Sequence, residues 1–313
     1  MPQPDHIRIL LCTRNGAEWL PEQLDSIARQ THPHWSLWVS DDGSTDGTRQ
    51  VLEAFDKRHP GRLERVTDGP RQGAAANYLN LLCHPDLPQG TVALSDQDDV
   101  WLTEKLARAA GVLGLGRHDA RDHAPRAYAA RFLLADQTLG RSRMSSDWPR
   151  GPSFGNALVQ NIMSGHSMVM NGAALGLVRR AGTPLVAHHD WWLYLLFAAS
   201  GCDIRLDPEA VLLYRQHDKN YFGGRHGRRA RLERFHFLKN RSKAGRWIAA
   251  NIRALDGVPD MLTPAARDSL ELLREAPPGT GLRRWRTFRR IGVHRQSRGE
   301  TAVLALATLL GRL

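Results

Sequence analysis

The chain has 313 residues, 42% of them hydrophobic, and a formal net charge of +11. That length suits one large α/β domain with an appendage. Three widely spaced cysteines, Cys12, Cys83 and Cys202, exclude a disulfide framework and fit buried thiols in a reducing compartment. The first residues lack a signal peptide's apolar core, and no run approaches the roughly 20 apolar residues of a membrane span, so a cytoplasmic location is expected.

Ile7–Cys12 reads as the first strand, and Leu20, Leu24, Ile27 and Ala28 have helical spacing. Leu37–Ser40 is a second strand, followed by a helix through Phe55. Leu63–Thr67 reads as a strand, Gly73 to Leu82 as a short helix and Thr91–Ser95 as a central strand. This β-α-β-α order predicts a mostly parallel, Rossmann-like sheet with helices on both faces. Thr103 to Leu113 follows as a helix capped by Thr103, and residues 114–126 as a loop. Residues 127–134 and 166–170 read as strands, Trp191–Ala199 as a helix, and Ile204–Leu206 and Val211–Tyr214 as two short closing strands.

Two acidic turns stand out. Asp96-Gln97-Asp98-Asp99 follows the central strand, and Asp41-Asp42 opens the turn after the second strand. Crowded carboxylates repel, and a fold keeps them where something positive sits among them; a hard divalent cation is the usual occupant. The alternatives are a solvated turn for the first cluster and an ordinary βα loop with a helix cap for the second. Both clusters end strands, where open α/β sheets bind ligands.

The segments Leu10 to Gly16, Glu22 to Ile27, Asp41 to Thr48, Asp96 to Trp101, His189-Asp190-Trp191-Trp192 and Tyr214-Arg215-Gln216-His217 together resemble family 2 glycosyltransferases of the GT-A fold, in the family's order over residues 7–222. The Asp-Gln-Asp-Asp-x-Trp and His-Asp-Trp-Trp variants resemble the bacterial rhamnosyltransferase-like branch. The resemblance implies a metal-dependent, inverting transfer of one sugar from a nucleotide sugar to a glycan or lipid-linked glycan, in bacterial surface polysaccharide synthesis. L-Rhamnose from dTDP-rhamnose is the specific expectation. Asp96 and Asp98 are then the acids of an Mg²⁺ or Mn²⁺ site that His217 completes. Thr13, Asn15, Asp41, Asp42, Asp96 and Gly165 line the nucleotide-sugar pocket, with Arg14 where the family often has an aromatic. Asp190 is the implied catalytic base, against the alternative that it caps its helix; His189 stands where many relatives have Glu. Trp101, Trp191 and Trp192 are read as acceptor contacts, with core packing as the alternative for the Trp pair. His166 is left without a catalytic role.

Residues 1–222 carry 23 Lys/Arg against 25 Asp/Glu, whereas residues 223–313 carry 20 against 7. A boundary is therefore expected near Gly223-Gly224, between the GT-A domain and a basic helical C-terminal region. One basic tract runs from Arg225 to Arg246. A second runs from Arg283 to Arg298, interleaved with Trp285, Phe288 and Ile291, before the apolar Ala302–Leu310. This suits peripheral binding to an anionic membrane surface. The rivals are a solvated helical face, a nucleotidyltransferase using the same carboxylates and metal, and a basic nucleic-acid-binding protein; no nucleic-acid partner is expected.

Overall fold

The computed structural model describes residues 5–116, 124–217 and 243–313. The tract from Arg225 to Arg241 and the boundary at Gly223-Gly224 lie outside the described residues. The first half is doubly wound: β1 (Ile7–Thr13), α1 (Leu20–Ala28), β2 (Trp35–Asp41), α2 (Thr48–Arg58), β3 (Leu63–Asp68), α3 (Ala74–Leu82) and β4 (Thr91–Ser95). β3, β2, β1 and β4 lie side by side, all parallel. β1, β2 and β4 are buried at every position, as expected of parallel strands covered on both faces.

Period-two alternation divides the core. Ile7, Ile9 and Leu11 face one cluster with α1 and α2; Leu10 and Cys12 face a larger one with α3. Each such aliphatic burial contributes about 1.5–3 kcal/mol.

The second half is mixed. It comprises β5 (Val100–Trp101), α4 (Lys105–Leu113), β6 (Arg126–Ala135), β7 (Ser142–Met144), α5 (Phe154–Ala157), a 3₁₀ turn at Gly165–Ser167, β8 (Val169–Met170), α6 (Gly172–Ala181), α7 (His189–Ala199) and β9 (Asp203–Arg215). The sheet continues from β4 through antiparallel β8, then β6, then β9 parallel to β6, and ends on β5, with β7 beside β6.

Of residues 166–170, expected as a strand, Val169–Met170 form β8, while His166 and Ser167 belong to the 3₁₀ turn before it. The two closing strands are one, with a register shift against Ala130 and Arg131. Thr103 is not a cap: α4 starts after Glu104, whose side chain makes no capping bond.

Among the described residues the C-terminal region is helical: α8 (Lys243–Asp256), α9 (Pro264–Glu275), α10 (Leu282–Ile291) and α11 (Arg298–Leu309). Thr263 caps α9 and Ser297 caps α11, each accepting a backbone N–H three residues on. These helices share the larger core, contributing Ile248, Leu255, Leu270, Leu273, Phe288 and Leu304. Polar contacts fasten them further: Asn156 Nδ2 donates to His294 O at 3.0 Å, and Gln296 N to Gln160 Oε1 at 2.8 Å. Among the described residues no helix is long and apolar enough to cross a membrane.

A Cβ on Gly155 would lie 2.5 Å from Gly292 O, a backbone atom that cannot rotate away. Gly155→Ala should therefore push the α10–α11 connection off α5 and lower stability by about 1–3 kcal/mol in urea unfolding. An unchanged midpoint would show that this docking is loose.

Candidate active site

Parallel pairing sets Thr13 beside Asp41, and Leu11 beside Ser95, so both acidic turns leave the sheet on one edge. Gln97 ties the turns together. Its Oε1 accepts from Thr13 Oγ1 at 2.6 Å and from Arg14 N at 2.9 Å, and its Nε2 donates to Arg14 O at 3.2 Å. Sequence reasoning assigned Gln97 no role, since nothing local marks a contact 84 residues away.

Asp41 and Asp42 are buried and occupied. Asp41 accepts from Ser44 N at 2.9 Å and Arg49 Nε at 2.8 Å. Asp42 accepts from Arg71 N and from Gly73 N at 3.0 Å. Their first duty is to shape the turns around the cleft. Asn15 is exposed at the rim with φ +50°, and its Oδ1 accepts from Thr45 N at 2.8 Å.

The second cluster is assembled from afar. β8 pairs antiparallel with β4, Val92 opposite Met170 and Ala93 opposite Val169; continuing that register brings His166 to Asp96. His166 Nδ1 lies 3.2 Å from Asp99 Oδ2 and 3.8 Å from Asp96 Oδ2. In the same way β5 pairs with β9, Val100 opposite Leu213, which brings Arg215 and His217 to Asp98. Arg215 Nε donates to Asp98 O at 3.1 Å, and His217 Nε2 meets Asp98 Oδ2 at 2.9 Å. His217 is stacked on Trp19, with ring centroids 5.6 Å apart.

These groups depart from their usual protonation. Burial, then repulsion from Asp99, pushes Asp96 up to about 6 and Asp98 up to about 7. Burial alone would lower His166, but the Asp99 and Asp96 carboxylates outweigh it and raise its pKa. Burial drives Lys105 well down; its Nζ donates to His166 O and lies 3.4 Å from the Trp101 ring centroid.

The residues fit a hard cation. Asp99 is wholly buried, and neither of its oxygens has a hydrogen-bond donor. Donor atoms of Asp96, Asp99 and His166 lie within 4.8 Å of one another. The sequence reading chose Asp96, Asp98 and His217. The structure joins Asp98 to His217 and adds a separate group of Asp96, Asp99 and His166.

Asp190 opens α7. Its Oδ1 accepts from Trp191 N at 2.8 Å and its Oδ2 from Gly165 N at 3.3 Å. His189 stacks on Tyr78 at 4.0 Å, and Tyr78 Oη donates to Asp96 Oδ1 at 2.7 Å. Burial lowers the His189 pKa. Gly165 approaches α7 so closely that a Cβ would lie 2.7 Å from His189 Nε2, so the start of this helix takes up the space that the missing side chain leaves.

The tryptophan readings need correction. Trp101 is 2% exposed and Trp192 is wholly buried; each sits in one of the two cores and offers an acceptor no face. Trp191 is also in the core, its Nε1 donating to Ala157 O at 2.7 Å. A hydrophobic helix inside the larger core accounts for both members of the pair.

A doubly wound sheet with two acidic turns at its strand ends, and a helix that opens with Asp190, is the arrangement of the GT-A fold. Residues 8–153, just under half of the chain, match the sequence profile of Glycosyl transferase family 2, and the chain is similar to known glycosyltransferases. It is 25% identical over 237 residues to dTDP-rhamnosyl transferase RfbG of Shigella flexneri, covering 74% of this chain and 80% of that one. Over a shorter stretch it is 32% identical to the putative teichuronic acid biosynthesis glycosyltransferase TuaG of Bacillus subtilis, covering 33% and 39% of the two chains. Two solved structures share the fold. S. aureus TarS 1-349 in complex with UDP-GlcNAc has a TM-score of 0.54 at 16% identity, covering 98% of this chain and 89% of that one. The mannosyltransferase PcManGT from Pyrobaculum calidifontis, in complex with GDP-Man and Mn²⁺, has 0.52 at 19% identity, covering 99% and 89%.

Because Asp96 and Asp98 bind protons more tightly in the folded chain, they destabilise it progressively as pH rises from about 4 to about 7. At pH 8 without added metal, Asp98→Asn should melt above wild type, the gap closing as pH falls through that range. Mn²⁺ should raise the wild-type midpoint more than the variant's. A gap constant with pH would show that Asp98 is not strained by its neighbours.

Gly165→Ala should displace His189 and Asp190 while leaving both cores intact. Turnover should fall about 10–10²-fold with little change in melting midpoint. Full turnover would mean that the start of α7 yields freely.

Proposed function

We propose that this glycosyltransferase moves a sugar, with inversion, from a nucleotide sugar to a glycan or lipid-linked glycan in bacterial polysaccharide assembly. One observation carries the reading: the Gly165–Ser167 turn touches both halves of the required chemistry. Its first residue donates to Asp190, and its second lies 3.2 Å from Asp99. A base for the acceptor and an acidic site for the donor are thus held at a fixed spacing.

Asp96, with 38% of its side chain exposed, and Asp98 are the acids that a donor-bound cation can reach, with His217 beside Asp98. Asp99 and His166 lie behind Asp96 and supply charge from below. A bound Mg²⁺ or Mn²⁺ would supply Lewis-acid stabilisation of the departing diphosphate. Asn15 and the Asp41–Asp42 turn border the nucleotide's side of the cleft. Asp190 takes the acceptor hydroxyl's proton as that oxygen attacks the anomeric carbon; its two backbone contacts hold the carboxylate in place. Likeness to a dTDP-rhamnosyl transferase supports dTDP-rhamnose as the first donor to try.

The proposal extends to a peripheral position on an anionic membrane. Leu282, Leu306, Leu309 and Leu310 are exposed, Leu310 at 55%, close to exposed Arg283 and Arg286. Apolar side chains flanked by arginines suit an anionic leaflet, each cation contributing about 1 kcal/mol. Removing residues 283–313 would strip Phe288 and Leu304 from the core, so the surface is tested by substitution. Leu309→Ser with Leu310→Ser should reduce sedimentation with anionic vesicles and leave transfer to a soluble acceptor unchanged. Equal sedimentation would remove the membrane from the proposal.

A panel of nucleotide sugars, assayed for metal-dependent release of nucleoside diphosphate, tests the reaction itself. Asp190→Asn should retain donor binding and lose about 10²–10⁴ in turnover. Turnover within a few-fold of wild type would reduce Asp190 to a helix cap, and pyrophosphate as product would overturn the reaction class.

A further inference from the structure

The C-terminal helices line a half-open cavity of about 500 Å³, within the usual range of small-ligand pockets. Its walls are mostly apolar, with Ile248 and Ile252 from α8, Leu273 from α9 and Phe288 from α10. Arg284 also lines it, although only 4% of that residue is exposed. Its Nη1 donates to Ala276 O at 2.7 Å, and its guanidinium lies 5.1 Å from the Phe288 ring centroid. Its Nε is buried without a hydrogen-bond partner, and among the described residues no carboxylate pairs with it. Arg246 and Arg253 stand exposed on the same lining, while Arg274 is already paired with Asp256.

A buried guanidinium with no counter-charge is costly, and burial pushes its pKa down. The neighbouring walls are the wrong surface for a hydrated anion but suit a hydrocarbon chain. A purely apolar ligand would leave Arg284 unpaired, and free phosphate would leave the walls uncovered. An amphipathic anion satisfies both. Gly279 and Gly311 also line the cavity, next to the exposed Leu309 and Leu310, so it shares a border with the surface that a lipid would meet first.

We propose that this cavity binds the phosphate-headed end of a single long-chain lipid, with the phosphate against Arg284 and the adjoining hydrocarbon along Ile248, Ile252 and Leu273. No step of glycosyl transfer enters the argument, so the site stands or falls apart from the reaction proposed above.

The test titrates the full chain with dodecyl phosphate below its micelle concentration and follows the melting midpoint and tryptophan fluorescence. Inorganic phosphate and a neutral dodecyl polyoxyethylene ether serve as controls. Dodecyl phosphate should bind saturably, and at least about tenfold more tightly than either control, as expected for one charge-assisted contact added to chain burial. Arg284→Met should cost about tenfold in affinity, because it keeps the bulk and removes the charge. Ala249→Phe, which fills the cavity from α8 and leaves Arg284 in place, should abolish binding; it carries the test alone if the arginine variant fails to fold. Inorganic phosphate binding as tightly as dodecyl phosphate would leave a simple anion site, and equal dodecyl phosphate binding by Ala249→Phe would place the amphiphile elsewhere. Either result, or no saturable binding, overturns the proposal.

Discussion

Three aspartates within four residues, set at the end of a buried strand, are the constraint around which the rest of the site is arranged. Burial, and then their mutual repulsion, raises two of them toward neutral pH. The mixed half of the sheet brings nitrogen-bearing side chains to that point: β8 follows His166, β9 ends at Arg215 with His217 two residues on, and α4 carries Lys105. Beside Asp99 the two carboxylates outweigh burial and raise the pKa of His166, whose Nδ1 lies 3.2 Å from Asp99 Oδ2.

The C-terminal helices have a structural identity distinct from their charge. They cover the face of the sheet opposite α1 and α2, and they pack on α7, whose first turn holds Asp190. His188, just before that turn, meets Trp247 of α8 edge-on at 4.6 Å. Net charge marks this region as a change in surface, and its apolar residues join it to the same core.

The parallel half was legible because its signals are local: Thr91–Ser95 is the predicted central strand, and Leu20–Ala28 the predicted helix. β5 was not, being two residues long and paired with β9, more than a hundred residues on. α6 was missed although Asn171 caps it, with its side chain accepting from Ala174 N at 3.0 Å. At the site, Asp96, Asp98, His217 and Asp190 carry motif spacing that sequence displays. Asp99 and His166 acquire their meaning only from strand register, because Asp96 meets residue 166 through the pairing of β4 with β8. The tryptophans misled because a bulky aromatic beside a catalytic motif serves packing as readily as recognition.

The pairing of β5 with β9 has a consequence for biosynthesis. The acidic turn leaves the ribosome more than a hundred residues before Arg215 and His217, and about seventy before His166. Until then Tyr78, which donates to Asp96, has no histidine or arginine beside it to help, and the emerging strand settles at a cost in a dry environment. Long-range contacts of this kind form late, because the loops that separate them must close first. The acidic corner is therefore expected among the last parts of the sheet to become native, and a polypeptide arrested before residue 215 would hold the parallel half of the sheet with an acidic edge that Arg215 and His217 have yet to meet.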